Sequence, residues 1–243
     1  MIDRIADYLK IMVRSCMANK KNTLLFICLI FLFGFFMGFI DEQYSMIPTA
    51  IYFVIYISYG MQYAGELINC REHLPGFSFK DIPRGIKASV VLSIYWVVQG
   101  LILMGISILF NFPSFEIESF FFEFSETVHL IFTHSPIDSV LFFILSIAVT
   151  YIMGFFLEIA LANLLDDGKF IDSFNFKLIK HYIDNIGWME YAKDYTALLL
   201  TVLIITGLEF IPVSKFVMFN LSLILVFMVE FCAINVIFKK MKA

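Results

Sequence analysis

The chain has 243 residues, of which 60% are hydrophobic and 16% are charged, and its mean hydropathy is +0.87. A soluble globular domain has roughly half apolar and a quarter charged residues, so this composition excludes an ordinary soluble protein. The formal net charge of -4 is small. We predict an all-α, polytopic membrane protein in which the positions of the charges matter more than their sum.

The four cysteines are Cys16, Cys28, Cys70 and Cys232, and no Cys-x-x-Cys spacing occurs. They fall mostly in or beside apolar runs, where a thiol behaves as a small hydrophobic side chain. The sequence therefore indicates neither a disulfide framework nor a zinc site, and we expect no metal and no cofactor.

Residues 1–20 form the first predicted element, an amphipathic helix. Asp3, Asp7, Lys10 and Arg14 make one side of it polar. A short helix of this kind lies flat in the interface between membrane and water. The apolar side consists of Ile2, Ile5, Ala6, Leu9, Val13 and Cys16.

Six apolar runs follow, each close to the roughly 20 residues that a helix needs to cross a membrane. They cover residues 23–40, 46–66, 87–110, 137–163, 195–212 and 215–238. We predict a bundle of about six transmembrane helices. Only Pro212, Val213 and Ser214 separate the last two runs, so these either form two spans or one broken re-entrant pair.

The basic residues follow the alternation of these spans. Sixteen of the 17 lysines and arginines fall before span one, between spans two and three, between spans four and five, or after span six; Lys215 alone falls opposite. Loops rich in lysine and arginine stay in the cytoplasm. We therefore predict a multi-pass protein of the cell membrane with cytoplasmic N- and C-termini.

The longest predicted outer segment covers residues 111–136. Its glutamates recur at three- and four-residue steps beside an apolar stripe, which is typical of an amphipathic helix in the outer interface or capping the bundle. Glu126 and His129 have the Glu-x-x-His spacing of di-iron bundles, and His134 follows. Because inward carboxylate partners are missing, we expect interfacial residues here rather than metal ligands.

Two cytoplasmic segments, 69–87 and 166–193, carry related phrases, FSFKDIPRGI at 77–86 and FNFKLIKHYI at 174–183. We predict that each segment forms an interfacial helix on the inner membrane surface. The predicted membrane-surface anchors are Phe77, Phe79, Lys80, Phe174, Phe176 and Lys177.

Both phrases contain a helix-start signal. Ser78 and Asn175 are placed as N-caps, and the phenylalanine before each cap is placed to pack on the isoleucine four positions into the helix. Pro83 requires the first helix to start later or to bend.

The similarity between the two segments extends upstream at a constant offset of 97 residues, as in Leu67 with Leu164 and Asn69 with Asp166. Each copy follows a span that runs inward and precedes one that runs outward. This pattern favours a parallel internal duplication of spans two–three and four–five. The alternative is convergence of two juxtamembrane helices in a chain rich in isoleucine and phenylalanine.

The stretch YGMQYAGELINCREHLPGFSFKDIPRGIKASVVLSIYW, with ALANLLDDGKFIDSFNFKLIKHYIDNIGWMEY, resembles an archaeal integral membrane family catalogued as domain of unknown function 4013. The similarity lies in Leu74-Pro75-Gly76-Phe77 and in an Ala-rich span end leading to Asp167-Gly168 and Phe174-Asn175-Phe176. It covers roughly residues 1–240. The resemblance implies a multi-span prokaryotic envelope protein and brings no established activity.

Polar residues inside the spans form the candidate site, because an ionisable group in lipid costs a few kcal/mol and is rarely placed there without a partner. Glu158 in span four and Glu230 in span six lie at similar depth on the cytoplasmic side. They could line an inward-facing vestibule. Its further members would be Gln62, Glu66, Asn163 and Asn235. Alternatively, each carboxylate is paired, protonated or in reach of inner-surface water.

Two further polar residues, Gln99 and Glu209, are expected to form hydrogen bonds between helices. No phosphate-binding loop, nucleophile elbow or metalloprotease motif occurs in the sequence, which disfavours an enzyme.

Two functional hypotheses remain. The first is a non-catalytic structural or partner-binding membrane component. The second is a small transporter or channel with a polar vestibule around Glu158 and Glu230. Expected partners are the lipid bilayer and other membrane proteins or a second copy of the chain, and not nucleic acid.

Overall fold

The structure, a computed structural model, describes residues 1–37, 39, 42–69, 71, 73–76, 78–110, 136–165, 169–211 and 214–242. These residues form α-helices and short 3-10 turns without a β-strand, so the all-α class is confirmed for them. Their helices are α1 (Ile2–Ala18), α2 (Lys20–Met37), α3 (Glu42–Ile68), α4 (Ile82–Leu109), α5 (Pro136–Leu165), α6 (Phe176–Ile186), α7 (Trp188–Thr206) and α8 (Lys215–Lys242). The 3-10 turns are Phe79–Asp81, Phe170–Phe174 and Gly207–Phe210.

Four elements are long and apolar enough to cross a membrane: Ile82–Leu109, Val140–Leu165, Trp188–Phe210 and Lys215–Lys242. They correspond to predicted spans three to six, and the last two qualify separately rather than as one broken pair. Helices α1 and α2 qualify only together, as a pair bent by 103°. The described residues therefore contain four to five candidate spans, which is consistent with a multi-pass membrane protein.

Helix α3, the predicted second span, does not reach the same hydropathy. Its 27 residues include Tyr52, Tyr56, Tyr59, Gln62 and Tyr63, which interrupt the apolar run. The count of six spans consequently stays a prediction.

The chain forms two compact units, one of residues 1–91 with 158–243 and the other of residues 92–157. In the first unit α8 is the central helix, since it contacts α1, α2, α3, α6 and α7. Phe227 of α8 is fully buried and packs against Phe26 and Tyr56, with ring centroids 4.9 and 4.3 Å apart. The core of this unit is thus an aromatic layer around α8.

A glycine allows α3 to approach α8 closely. A Cβ atom at Gly60 would lie 2.1 Å from the ring of Phe231, a distance that no side chain tolerates. Small residues at helix contacts are a common means of close packing in membrane proteins. Gly65, one turn further along α3, has open space around it.

The second unit contains a hydrogen bond between two apolar helices. Gln99 Nε2 of α4 donates to Thr150 Oγ1 of α5 over 3.2 Å, which confirms the expected interhelical role of Gln99. Val97, Leu101 and Ile144 on these helices are more than half exposed. Such a surface suits contact with lipid rather than water.

The predicted N-caps are present in both related phrases. Asn175 Oδ1 accepts hydrogen bonds from the backbone N–H groups of Lys177 and Leu178 over 3.2 and 3.3 Å. Ser78 Oγ accepts one from the N–H of Lys80 over 3.3 Å, at the start of the Phe79–Asp81 turn. The α-helix there begins only at Ile82, as the proline at the next position requires.

The two copies then differ. Helix α6 ends at Gly187, whose φ of 90° suits glycine, and α7 starts at the next residue. The residue 97 positions earlier is Val90, a β-branched residue for which such a φ is strained, and α4 continues through it. A separate interfacial helix over 69–87 was therefore a wrong prediction: the described residues 73–76 are not helical, and 82–87 begin α4.

Of the predicted outer segment 111–136, only Pro136 is described, and it begins α5. Glu126, His129 and His134 lie outside the described residues. Among the residues that are described, no three His, Cys, Asp or Glu side chains are grouped to hold a metal ion.

Candidate functional site

Glu158 of α5 and Glu230 of α8 belong to the same compact unit and lie close enough to interact electrostatically. Both residues are partly exposed, although the Oε2 atom of Glu158 is buried and has no hydrogen-bond partner in the described part of the chain. No lysine or arginine in that part forms an ion pair with either carboxylate. Two neighbouring carboxylates without a cation are unfavourable in a low-dielectric environment. The described residues therefore leave the two carboxylates without a compensating charge.

Two tyrosines from other helices lie within electrostatic reach of the pair, Tyr8 of α1 near Glu158 and Tyr56 of α3 near Glu230. Their hydroxyl groups donate elsewhere: Tyr8 to the backbone oxygen of Asp194 over 3.4 Å and Tyr56 to that of Leu223 over 3.1 Å. Burial raises the pKa of Tyr8, and the neighbouring carboxylates raise it further, so Tyr8 stays neutral. Neither phenol supplies the missing partner.

Asn163 and Asn235 are each buried five residues after one of the glutamates. Asn163 Oδ1 accepts a hydrogen bond from Tyr182 over 3.1 Å, while its Nδ2 atom is buried without a partner. The Oδ1 atom of Asn235 is also buried without a partner in the described residues. A buried polar group left unpaired costs about 1–3 kcal/mol, so both α5 and α8 carry unmet hydrogen-bonding capacity near their C-terminal ends.

Gln62 and Glu66 are engaged elsewhere, with the loop that follows α3. Gln62 Nε2 donates to the backbone oxygen of Gly76 over 2.8 Å, and Arg71 pairs with Glu66 over 3.3 Å. Of the predicted vestibule residues, Glu158 and Glu230 lie within electrostatic reach of each other. Gln62 and Glu66 instead contact the loop that follows α3.

A cluster of four charges was missed by sequence reasoning. Arg4 of α1 and Lys240 of α8 both contact Asp194 of α7, and both also reach Glu190 one turn away. Asp194 is only 2% exposed, and Lys240 Nζ lies 2.5 Å from its Oδ2 atom. In the sequence, Arg4 and Lys240 were interpreted only as cytoplasmic charges. The i, i+4 spacing of Glu190 and Asp194, which places both acids on one side of a helix, was a signal for the cluster.

The chain matches the model of a protein family described as "Protein of unknown function (DUF4013)" over residues 43–234. The chain belongs to this family. The family match includes Glu158, Glu230 and both related phrases, whereas Arg4 and Lys240 lie outside it. No curated protein and no solved structure matches the chain.

One of the segments of this DUF4013 chain that were expected to touch the membrane surface packs partly against other helices of the protein. Ile179 and Ile183 of α6 are buried, and α6 contacts α7 and α8, so its apolar side faces protein. Phe174 is partly buried, and Phe176 is 64% exposed at the start of the helix. Lys80 and Lys177 are exposed. Phe77 and the side chain of Phe79 are outside the described residues.

Glu209 contrasts with the two inner glutamates. Its Oε1 atom accepts a hydrogen bond from Ser222 Oγ of α8, which confirms the expected interhelical role. Glu209 therefore has a partner on another helix, whereas no ion pair or hydrogen bond of Glu158 or Glu230 occurs among the described residues.

Proposed function

We propose that this protein is a non-catalytic, partner-binding membrane component that recognises its partner through Glu158 and Glu230. Two observations of the described residues carry the proposal: no ion pair involves either carboxylate, and the buried Oε2 atom of Glu158 has no hydrogen-bond partner. An ionisable group in a membrane span costs a few kcal/mol unless it is paired. A cationic or hydrogen-bond-donating side chain on another membrane segment would offset that cost.

The partner is expected to be another membrane protein or a second copy of the chain. Both glutamates are partly exposed, so a neighbouring helix has access to them. The other members of the proposed polar site are Glu66, which also pairs with Arg71, and the buried Asn163 and Asn235. Asn163 and Asn235 each have one buried amide atom without a partner in the described residues.

Purification in a mild detergent tests this function. We expect a partner in stoichiometric amount, or a homo-oligomer, that is lost in Glu158→Gln and Glu230→Gln while the amount of protein in the membrane is unchanged. Glu209→Gln is the matched control, because it alters a glutamate that is satisfied within the chain. A complex that survives both inner substitutions would rule out this proposal.

The second candidate is a small transporter or channel. It is favoured by one observation, that two interacting carboxylates come from different candidate spans; such groups mark ion and proton paths in other transporters. Substrate-dependent flux into liposomes, abolished by Glu158→Gln with the complex intact, would support this function and contradict the first.

The membrane arrangement is part of the same proposal. We infer a single membrane domain with six spans in the cell membrane, both termini in the cytoplasm, and an archaeal source as the family resemblance implies. The 97-residue offset supports a parallel duplication of spans two–three and four–five. The proposed surface anchors remain Phe77, Phe79, Lys80, Phe174, Phe176 and Lys177. Labelling of intact cells with a membrane-impermeant reagent would test the orientation of the termini.

A further inference from the structure

Helix α1 has three distinct sides. Arg4, Tyr8, Met12 and Ser15 make the first side, which is docked: the last three are buried, and α1 contacts α7 and α8. At about 100° per residue these four positions fall within an arc of about 80°. The docked side is therefore narrow, and the described residues leave most of the helix surface uncovered.

The uncovered surface divides into an apolar stripe and a charged side. Ile2, Val13 and Met17 of the stripe are 81%, 50% and 67% exposed. The remaining members of the stripe, Ala6 and Leu9, are partly buried. Asp3, Asp7, Lys10 and Arg14 are all exposed and make the third side. The apolar stripe lies between the docked side and the charged side on the helical wheel.

The orientation of α1 is held at both ends. Near its start, Arg4 joins the cluster with Glu190 and Asp194. At its end, Asn19 Oδ1 accepts a hydrogen bond from the N–H of Asn22 over 3.2 Å and so caps α2, while Thr23 Oγ1 donates to Cys16 O over 2.9 Å. The two helices meet at 103° in this corner. A helix α2 that crosses the membrane would therefore set α1 nearly parallel to the membrane plane.

We propose that the apolar stripe of α1 is seated in the acyl boundary of a lipid leaflet. Exposed apolar side chains occur on both helices of the corner: Met17 lies at the end of α1, and Leu24, Leu25 and Leu29 of α2 are each at least half exposed. The charged side of α1 then faces the headgroups and water, as in interfacial helices. The docked side joins α1 laterally to α7 and α8, so the helix is an anchored part of the bundle. This inference does not depend on the role of Glu158 and Glu230.

An environment-sensitive fluorescent amino acid tests this seating in the full chain, placed in phosphatidylcholine nanodiscs. Probes at Val13, Lys10 and Met12 report the stripe, the charged side and the docked side. Lipids with a shallow doxyl group quench probes in the acyl boundary, and iodide quenches probes in water. We expect the Val13 probe to respond to doxyl lipid, the Lys10 probe to iodide, and the Met12 probe to neither.

Iodide quenching of the Val13 probe as strong as that of the Lys10 probe would place the stripe in water and overturn the proposal. A Val13 probe quenched by neither agent would also overturn it, because the stripe would then be covered by protein. A probe at Ile2 repeats the test at the other end of the stripe, so a variant that fails to fold leaves a second one to decide.

Discussion

Asp194 is the residue on which the docking of α1 depends most. Its carboxylate is almost fully buried and contacts both Arg4 and Lys240, whose side chains are 22% and 34% exposed. Asp194→Asn keeps the shape but leaves two cations around a neutral amide. Breaking a fully buried pair costs about 3–5 kcal/mol. Both cations are partly in contact with water, and Glu190 remains beside them. We therefore expect Asp194→Asn to lower the free energy of unfolding by about 2–3 kcal/mol.

Thermal unfolding in detergent measures this loss. For a chain of this length, 1 kcal/mol corresponds to about 2–4 °C in Tm, so Asp194→Asn should lower Tm by about 4–12 °C. Limited proteolysis should also cut α1 faster, since the helix loses its attachment to α7 and α8. Cleavage and Tm therefore report the same event independently.

Glu190→Gln is the matched control for this prediction. Glu190 contacts the same two cations, but its side chain is 45% exposed, so Glu190→Gln should lower Tm by less than Asp194→Asn does. If Asp194→Asn shifts Tm no more than Glu190→Gln does, burial does not set the strength of the cluster and the reasoning fails.

Three further predictions concern packing and local structure. Gly60→Ala should destabilise by about 1–3 kcal/mol through overpacking, whereas Gly65→Ala should be neutral or stabilising, which paired melting curves would check. Asn175→Ala removes the N-cap of α6 and should lower the free energy of unfolding by about 1 kcal/mol. Hydrogen exchange should become faster in α6 but not in α7, and equal acceleration in both helices would contradict a local cap. Gln99→Leu should cost only about 0.6 kcal/mol, and the same change with Thr150→Val already present should cost less, as a double-mutant cycle would show.

The sequence predicted those structural elements that depend only on residues close to one another in the chain. Hydropathy placed spans three to six, because a membrane-crossing helix is defined by its own apolar length. The caps at Ser78 and Asn175 were also predicted, since a cap needs only a side-chain oxygen and an amide two or three residues away. Hydropathy did not settle α3, whose tyrosines pack in the aromatic core around Phe227 rather than facing lipid uniformly.

The related phrases show where local similarity stops. Both phrases begin with an N-cap, but the helix of the first phrase continues as the candidate span α4, whereas helix α6 of the second phrase ends after 11 residues. The break lies at Gly187, which adopts a positive φ that Val90, the corresponding residue, would adopt only with strain. The similarity of the two segments does not reveal this difference, because Gly187 lies after the residues that match.

The sequence by itself determined the apolar helices that are compatible with a multi-pass membrane protein, and where several of the described helices begin. Only the tertiary structure decided which polar residues meet. Glu158 and Glu230 lie within electrostatic reach of each other, Glu66 pairs with Arg71, and Arg4 pairs with Asp194. The physical reason is that burial and pairing of charge depend on contacts between residues far apart in the chain, which periodicity along one helix does not specify.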